Sequence, residues 1–178
     1  AVGWQHLHLD PNTRTVTLGK AGMRLDAGGI AKGFAADEAL RVLQAHGIER
    51  ALVAASGDLR FGEPPPGKRG WRIAIAGTGA TGETGGKPLI LTTRNGAVST
   101  SGDSEQFVEI GGVRYSHIVS PFTGLGLTRR IQATVMAPDA TTSDALATAC
   151  CVLGPEQAIR LADSLPNVAV ILVTQEGG

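Results

Sequence analysis

The sequence predicts an α+β fold: a single domain over residues 1–178 in which an antiparallel-rich mixed sheet packs with a few helices. Three observations support this. Short runs of alternating or β-branched apolar residues, separated by turn residues, recur along most of the chain. Only three segments carry helical spacing, and they do not alternate regularly with the strands. The composition, 42% hydrophobic and 18% charged over 178 residues, is that of one well-cored globular unit.

Residues 6–9 and 15–18 alternate around Asp10-Pro11-Asn12, the pattern of a hairpin. From residue 30 to 46, Ile30, Phe34, Ala39, Leu40 and Leu43 fall at helical spacing, and Gly47 stands where a helix-terminating glycine belongs. Residues 50–55 read as a buried strand, Ser56-Gly57-Asp58 as a turn, and residues 70–75 as the next strand, beyond Pro64-Pro65-Pro66. Residues 77–86, rich in Gly and Thr, read as a mobile surface loop. Strands follow over 88–93, 97–99, 106–110 and 113–118, the last two joined by Gly111-Gly112. Residues 131–136 continue the sheet. A helix over 142–153 is closed by Gly154, Pro155 opens another to about residue 165, and residues 167–174 form the last strand. Cys150 and Cys151 are adjacent within a helix, poorly placed to bridge each other, and read as core thiols.

Sixteen basic and sixteen acidic residues cancel, and no basic block with interleaved aromatics occurs, which argues against a nucleic-acid partner. No apolar run approaches the ~20 residues of a membrane-spanning helix. The 25 glycines sit in separate turns and form no repeat.

The stretch RLDAGGIAKGFAADEAL, residues 24–40, sets paired glycines and Lys32 at a helix start, with acids at Asp26 and Asp37. Glycines allow close backbone approach, and free N–H groups at a helix start suit an anion such as phosphate. The order fits neither the Walker A loop nor the Rossmann fingerprint, and a strand-to-helix turn with a solvated lysine is the alternative. DATTSDALATACCVLG places Asp144 and Thr148 four apart on one helix face, a carboxylate and a hydroxyl suited to a hard cation such as Mg²⁺. Thr141-x-x-Asp144 also reads as a capping box. STSGDSEQF crowds hydroxyls around a Gly-Asp turn, and YSHIVSPFTG puts His117 just before a Pro-containing turn; each is equally a structural feature.

Taken in order, LDAGGIAKGFAAD, ASGDLRFG, STSGDSEQF with RYSHIVSPFTG, and ATVMAPDATTSDALAT resemble the FAD:protein FMN transferases, the ApbE-like flavin transferases, over nearly the whole chain. The resemblance implies that FAD is the substrate, that a divalent metal sits on its pyrophosphate, and that FMN passes to a Ser or Thr hydroxyl of an acceptor flavoprotein with release of AMP. Hydrolysis of FAD to FMN and AMP, or flavin binding without turnover, is the alternative. By motif match, Asp26 and Lys32 are FAD contacts. The Gly29 carbonyl, Asp144 and Thr148 are metal ligands. Ile118 is a flavin contact, His117 lies near the reaction centre, and Gly57-Asp58 and Ser101-Gly102-Asp103 border the pocket. Two departures stand out: Ser120 and Phe122 replace the acid and the arginine of the family's His-Ile-Ile-Asp-Pro-Arg-Thr-Gly block, and the family's N-terminal portion is not represented in these residues. Family members are often exported across a bacterial cytoplasmic membrane, so the resemblance also implies an extracytoplasmic setting and a membrane-associated acceptor.

Overall fold

The computed structural model describes residues 3–75, 88–103 and 106–174. The loop expected over 77–86 lies outside the described residues. In chain order the elements are β1 (Leu7–Asp10), β2 (Thr15–Leu18), α1 (Ala31–Ala45), β3 (Leu52–Ala55), β4 (Asp58–Phe61), β5 (Trp71–Ile75), β6 (Leu89–Thr93), β7 (Ala97–Gly102), β8 (Phe107–Ile110), β9 (Val113–Ser116), β10 (Ile131–Ala137), α2 (Ala140–Leu153), α3 (Pro155–Asp163) and β11 (Ala169–Thr174).

The α+β expectation holds, and every ladder among these strands is antiparallel. The main sheet runs β11-β10-β7-β4-β3, and β1-β2, β5-β6 and β8-β9 are separate two-stranded ribbons. The period of two divides each strand of the main sheet between two layers. On β10, Ile131, Ala133 and Val135 pack with Ala147, Cys150 and Cys151 of α2, whereas Met136 joins Phe61, Val98 and the β5–β6 ribbon on the opposite face. The sheet therefore lies between a helical layer and a ribbon layer.

The main correction concerns β4. The sequence places Asp58 in a turn with Ser56 and Gly57 and assigns no strand before residue 70, yet Asp58–Phe61 pairs with both β3 and β7. Ser56 (φ 49°) and Gly57 (φ 96°) form the two-residue turn between β3 and β4, with both central residues at positive φ as such a hairpin requires. Asp58 is consequently the first strand residue. Likewise β7 runs past Ser99 to Gly102, so Ser101 and Gly102 are strand residues opposite Ala133 and Gln132. The helix expected from residue 142 begins at Ala140, capped by Asp139, whose carboxylate accepts the Thr142 N–H at 2.7 Å. Both cysteines are buried and unpaired, as expected.

Helices α1 and α2 run antiparallel over the sheet and meet at steps of four residues. Gly33 lies against Ala140 and Asp144, Gly29 lies against Thr148, and Asp37 binds the first residues of α2. Asp37 accepts the Ala140 N–H at 2.9 Å, the Thr141 N–H at 2.8 Å and the Thr141 hydroxyl at 2.6 Å. Arg60 Nε lies 2.8 Å from Asp37 Oδ1 but is poorly aligned for a hydrogen bond; its Nη1 donates to the carbonyls of Phe61 and Gly96. Partial burial opposes ionisation of Asp37, but the Thr141 and Ala140 donors together with Arg60 hold its pKa below the usual 3.8.

Two outcomes follow from this packing. A Cβ on Gly33 would fall on the Ala140 carbonyl and 2.8 Å from Asp144 Cβ. Helix propensity alone favours Gly33→Ala by ~1 kcal/mol, but forced separation of the helices costs about 1–3 kcal/mol or more, so urea denaturation will show a net loss of stability. Because the folded pKa of Asp37 is depressed, its contribution is fully present above the unfolded value near 3.8 and is lost as pH falls through the folded value. In unfolding midpoints measured from pH 6 down to 2, Asp37→Asn will start lower than the parent and fall less steeply below about pH 4.

Candidate active site

Beneath the α1–α2 contact the sheet is polar. Asp58 and Arg60 of β4 point toward the helices at the two-residue period, as do Ser99 and Ser101 of β7, to meet residues of α1 and α2. Lys32 reaches into this seam from the first turn of α1. Its Nζ lies 3.1 Å from Asp58 Oδ2 and 3.3 Å from Asp144 Oδ1, and it donates to the Gly28 carbonyl at 3.4 Å.

Asp144 sits in the second turn of α2, where it does not cap its own helix. Its Oδ2 accepts the Gly33 N–H at 3.0 Å, one of the N–H groups that the start of α1 leaves without an intrahelical acceptor. No side chain of its own caps α1, because Ile30 occupies the N-cap. The capping alternative for Asp144 is therefore realised on the neighbouring helix. One turn further along α2, Thr148 faces Gly29: a Cβ on that glycine would stand 3.3 Å from Thr148 Oγ1. Thr148 also shares a hydrogen bond of 3.2 Å with the Ser101 hydroxyl. Gly29, Asp144 and Thr148 thus converge on one place, with Lys32, Asp58 and Ser101 around it.

The electrostatics are unbalanced. Asp58 and Asp144 are 2% and 1% exposed, and among the described residues Lys32 is the one cation paired with both. Two carboxylates against one ammonium leave one negative charge in a nearly dry site. Burial pushes the Asp58 carboxyl up, against the opposing pull of Ser99 and of the Lys32 charge. Its Oδ2 is close to Lys32 but has no aligned hydrogen bond. Partial burial works against the Lys32 charge, but Asp58 and Asp144 outweigh it and hold the pKa above its ordinary value, so the side chain is a permanent cation. Ser99 and Ser143 share a hydrogen bond of 2.7 Å, and the Ser143 hydroxyl lies 3.2 Å from the Ala140 carbonyl.

This donor set fits a hard divalent cation. The surplus charge calls for a positive ion, and a carboxylate and a hydroxyl one turn apart stand beside a glycine whose backbone is open to close approach. Among the described residues no three His, Cys, Asp or Glu converge as a metal site. A cation here would draw on Asp144, Thr148 and main-chain oxygen, the ligand chemistry of Mg²⁺ more than that of zinc.

The remaining expected residues lie around this centre in different roles. Asp26 is exposed and accepts the Gly28 N–H at 2.7 Å, holding the turn that leads to Gly29. Gly57 is exposed in the β3–β4 turn. Asp103 is buried at the end of β7, with its Oδ2 2.8 Å from Arg130 Nε and 3.1 Å from Arg114 Nε. Arg114 also stacks over the Phe107 ring at 3.2 Å, so Asp103 ties the β8–β9 ribbon to the main sheet. His117, just beyond β9, is exposed, and its Nδ1 lies 3.1 Å from the Gln106 carbonyl. A carbonyl only accepts, so Nδ1 carries the proton and neutral His117 keeps its lone pair on Nε2. Ile118 is 6% exposed and packs in the core with Ile131 and Ala133. Its side chain anchors the His117 loop from below. Ser120 braces its own turn by accepting the Phe122 and Thr123 N–H groups, and Phe122 is open to solvent. Among the described residues, no hydrogen bond or ion pair joins His117 to the Lys32 cluster. Sequence reasoning gave no role to Gly33, Asp37, Arg60, Ser99 or Ser143. The available signal was the four-residue step 29-33-37 facing 140-144-148.

Comparison with known proteins bears on the family and the fold. The FAD:protein FMN transferase of Treponema pallidum is 39% identical over 169 residues, which is 89% of this chain and 46% of that protein. The flavin transferase ApbE of Vibrio cholerae superposes with a TM-score of 0.83 at 31% identity, over 97% of this chain and 53% of that one. The ApbE protein of Thermotoga maritima gives 0.82 at 32%, over 99% and 56%. The chain therefore spans about half the length of the relatives it matches. The profile of the ApbE family matches residues 1–172, and with the shared fold behind it the conclusion is plain: this chain belongs to the ApbE family.

Proposed function

We propose that the chain carries the metal- and pyrophosphate-binding part of an Mg²⁺-dependent FMN transferase, which moves FMN from FAD to a Ser or Thr hydroxyl of an acceptor flavoprotein and releases AMP. The observation that carries this reading is the meeting of half-buried Gly29 and Thr148 with the buried Asp144, where two carboxylates face one ammonium. Asp144, Thr148 and the Gly29 carbonyl would hold the cation. When bound, it supplies charge neutralisation at the pyrophosphate and polarisation of the phosphorus.

The chain's own residues do the rest. Lys32, whose side chain is 41% exposed, keeps its charge and can reach a phosphate oxygen from the rim while Asp58 holds its base. Asp26 and the Gly28–Gly29 turn present backbone to the same place. In the transfer, a bond forms between the acceptor oxygen and the FMN phosphorus as the bond from that phosphorus to the bridging oxygen breaks, and AMP departs with that oxygen. The acceptor hydroxyl must lose its proton. His117 has its Nε2 lone pair available for this, its tautomer held by the Gln106 carbonyl. Because His117 is exposed, water can take the acceptor's place, and FAD hydrolysis is the second reading.

Incubation with FAD, Mg²⁺ and an acceptor domain bearing a Ser/Thr-Gly-Ala-Thr type of target will yield an FMN adduct by intact mass. AMP formed without adduct will mark hydrolysis, and absence of both across several acceptors counts against catalysis by this chain. Asp144→Asn retains an oxygen for the Gly33 N–H and removes the charge. Its Mg²⁺-dependent product formation and Mg²⁺ affinity by calorimetry will each fall by about 10²-fold or more, with the fold preserved by circular dichroism.

A further inference from the structure

We infer that Asp37 is a positioning residue for the cation site, an inference that rests on the metal-binding reading above. It lies one turn of α1 beyond Gly33, 103 residues from its partners in sequence, and belongs to neither the ligand set nor the flavin contacts. Its carboxylate holds the first two N–H groups of α2 and the Thr141 hydroxyl, while Asp139 holds the third N–H group. Arg60 of β4 fixes Asp37 in turn, so one carboxylate ties α1, α2 and the sheet together.

The consequence is a register. Asp37 meets Ala140 and Thr141, Gly33 meets Asp144, and Gly29 meets Thr148, each step being four residues on both helices. An α-helix advances about 5.4 Å per turn, so sliding or rotating α2 by a fraction of a turn moves Asp144 and Thr148 relative to Gly29 by ångströms. Mg²⁺ requires near-ideal octahedral geometry at about 2.0–2.1 Å, whereas Ca²⁺ accepts irregular shells at about 2.3–2.6 Å. Where Gly33 lies directly against Ala140, it has no Cβ of its own to key the two backbones against such a slide. Packing thus permits the two helices to approach, and Asp37 selects where along their length they stop. The small residues that bring the backbones together specify distance; the carboxylate specifies alignment.

The test uses the whole 178-residue chain with Asp37→Asn, and as a control Ile73→Ala, which trims the apolar layer on the opposite face of the sheet. The first readout is hydrogen exchange of the Gly33 amide without metal, compared at matched global stability by adjusting urea. Protection of this amide will fall by about 10-fold or more in Asp37→Asn and will be unchanged in Ile73→Ala. The second readout is calorimetric titration with Mg²⁺ and with Ca²⁺. Mg²⁺ affinity of Asp37→Asn will fall by about 10-fold or more and Ca²⁺ affinity by less than about 3-fold, a change in preference that general destabilisation does not produce. A folded Asp37→Asn with parental Gly33 exchange and a parental Mg²⁺/Ca²⁺ ratio overturns the inference. If the parent chain binds no Mg²⁺, the metal reading fails, and Gly33 exchange alone decides whether Asp37 sets the register. Should Asp37→Asn not fold, Thr141→Val, which removes only the hydroxyl contact, takes its place with the same directions at smaller amplitude.

Discussion

The structure depends on a reciprocal exchange of caps between two antiparallel helices. Each helix begins with N–H groups that its own turns cannot satisfy, and in each case an aspartate of the other helix supplies an acceptor: Asp144 for α1 at Gly33, Asp37 for α2 at Ala140 and Thr141. Because the carboxylates lie at the helix starts, they also meet the positive ends of the helix dipoles. The exchange works only if the backbones come very close, and Gly33 allows that approach. The residues proposed to hold the cation are thereby part of the same contact that holds the helices on the sheet.

A sheet face covered by helices is ordinarily apolar, and here its centre is not. Asp58, Arg60, Ser99 and Ser101 replace aliphatic side chains along two adjacent strands, while Ile131, Ala133 and Val135 of β10 keep the usual character under α2. Burying Asp58 and Asp144 together is costly in isolation, and one lysine does not cancel both. The seam is stable as a network, with Ser99, Ser143 and the Gly33 N–H each taking a share of the polar atoms. A fold that retains such a seam under its best-packed helices is organised around charge.

Much of this was legible in the chain. The i,i+4 spacing of Asp144 and Thr148 and the paired glycines before Lys32 announce oxygen donors and an open backbone, because those features are local. The β8–β9 turn at Gly111-Gly112 is equally local, and both glycines adopt positive φ. Strand β4 was not legible: in Asp58-Leu59-Arg60-Phe61 the charged residues alternate with apolar ones as on a solvated edge, and only the helices above reveal that the charged side is covered as well as the apolar one. Asp37 was illegible for a related reason. A cap made across 103 residues leaves no mark beside either partner. At Ile118 the side chain belongs to the core while its neighbour His117 faces solvent, a division that the sequence pattern alone does not show.

The adjacent thiols on α2 carry a consequence of their own. Cys151 is fully buried, donates to the Ser101 carbonyl at 3.4 Å, and is pushed by burial up to about 12, while burial also raises Cys150. Nucleophilic thiolate is therefore scarce at both positions, and neither thiol is open to disulfide exchange at the surface of the folded chain.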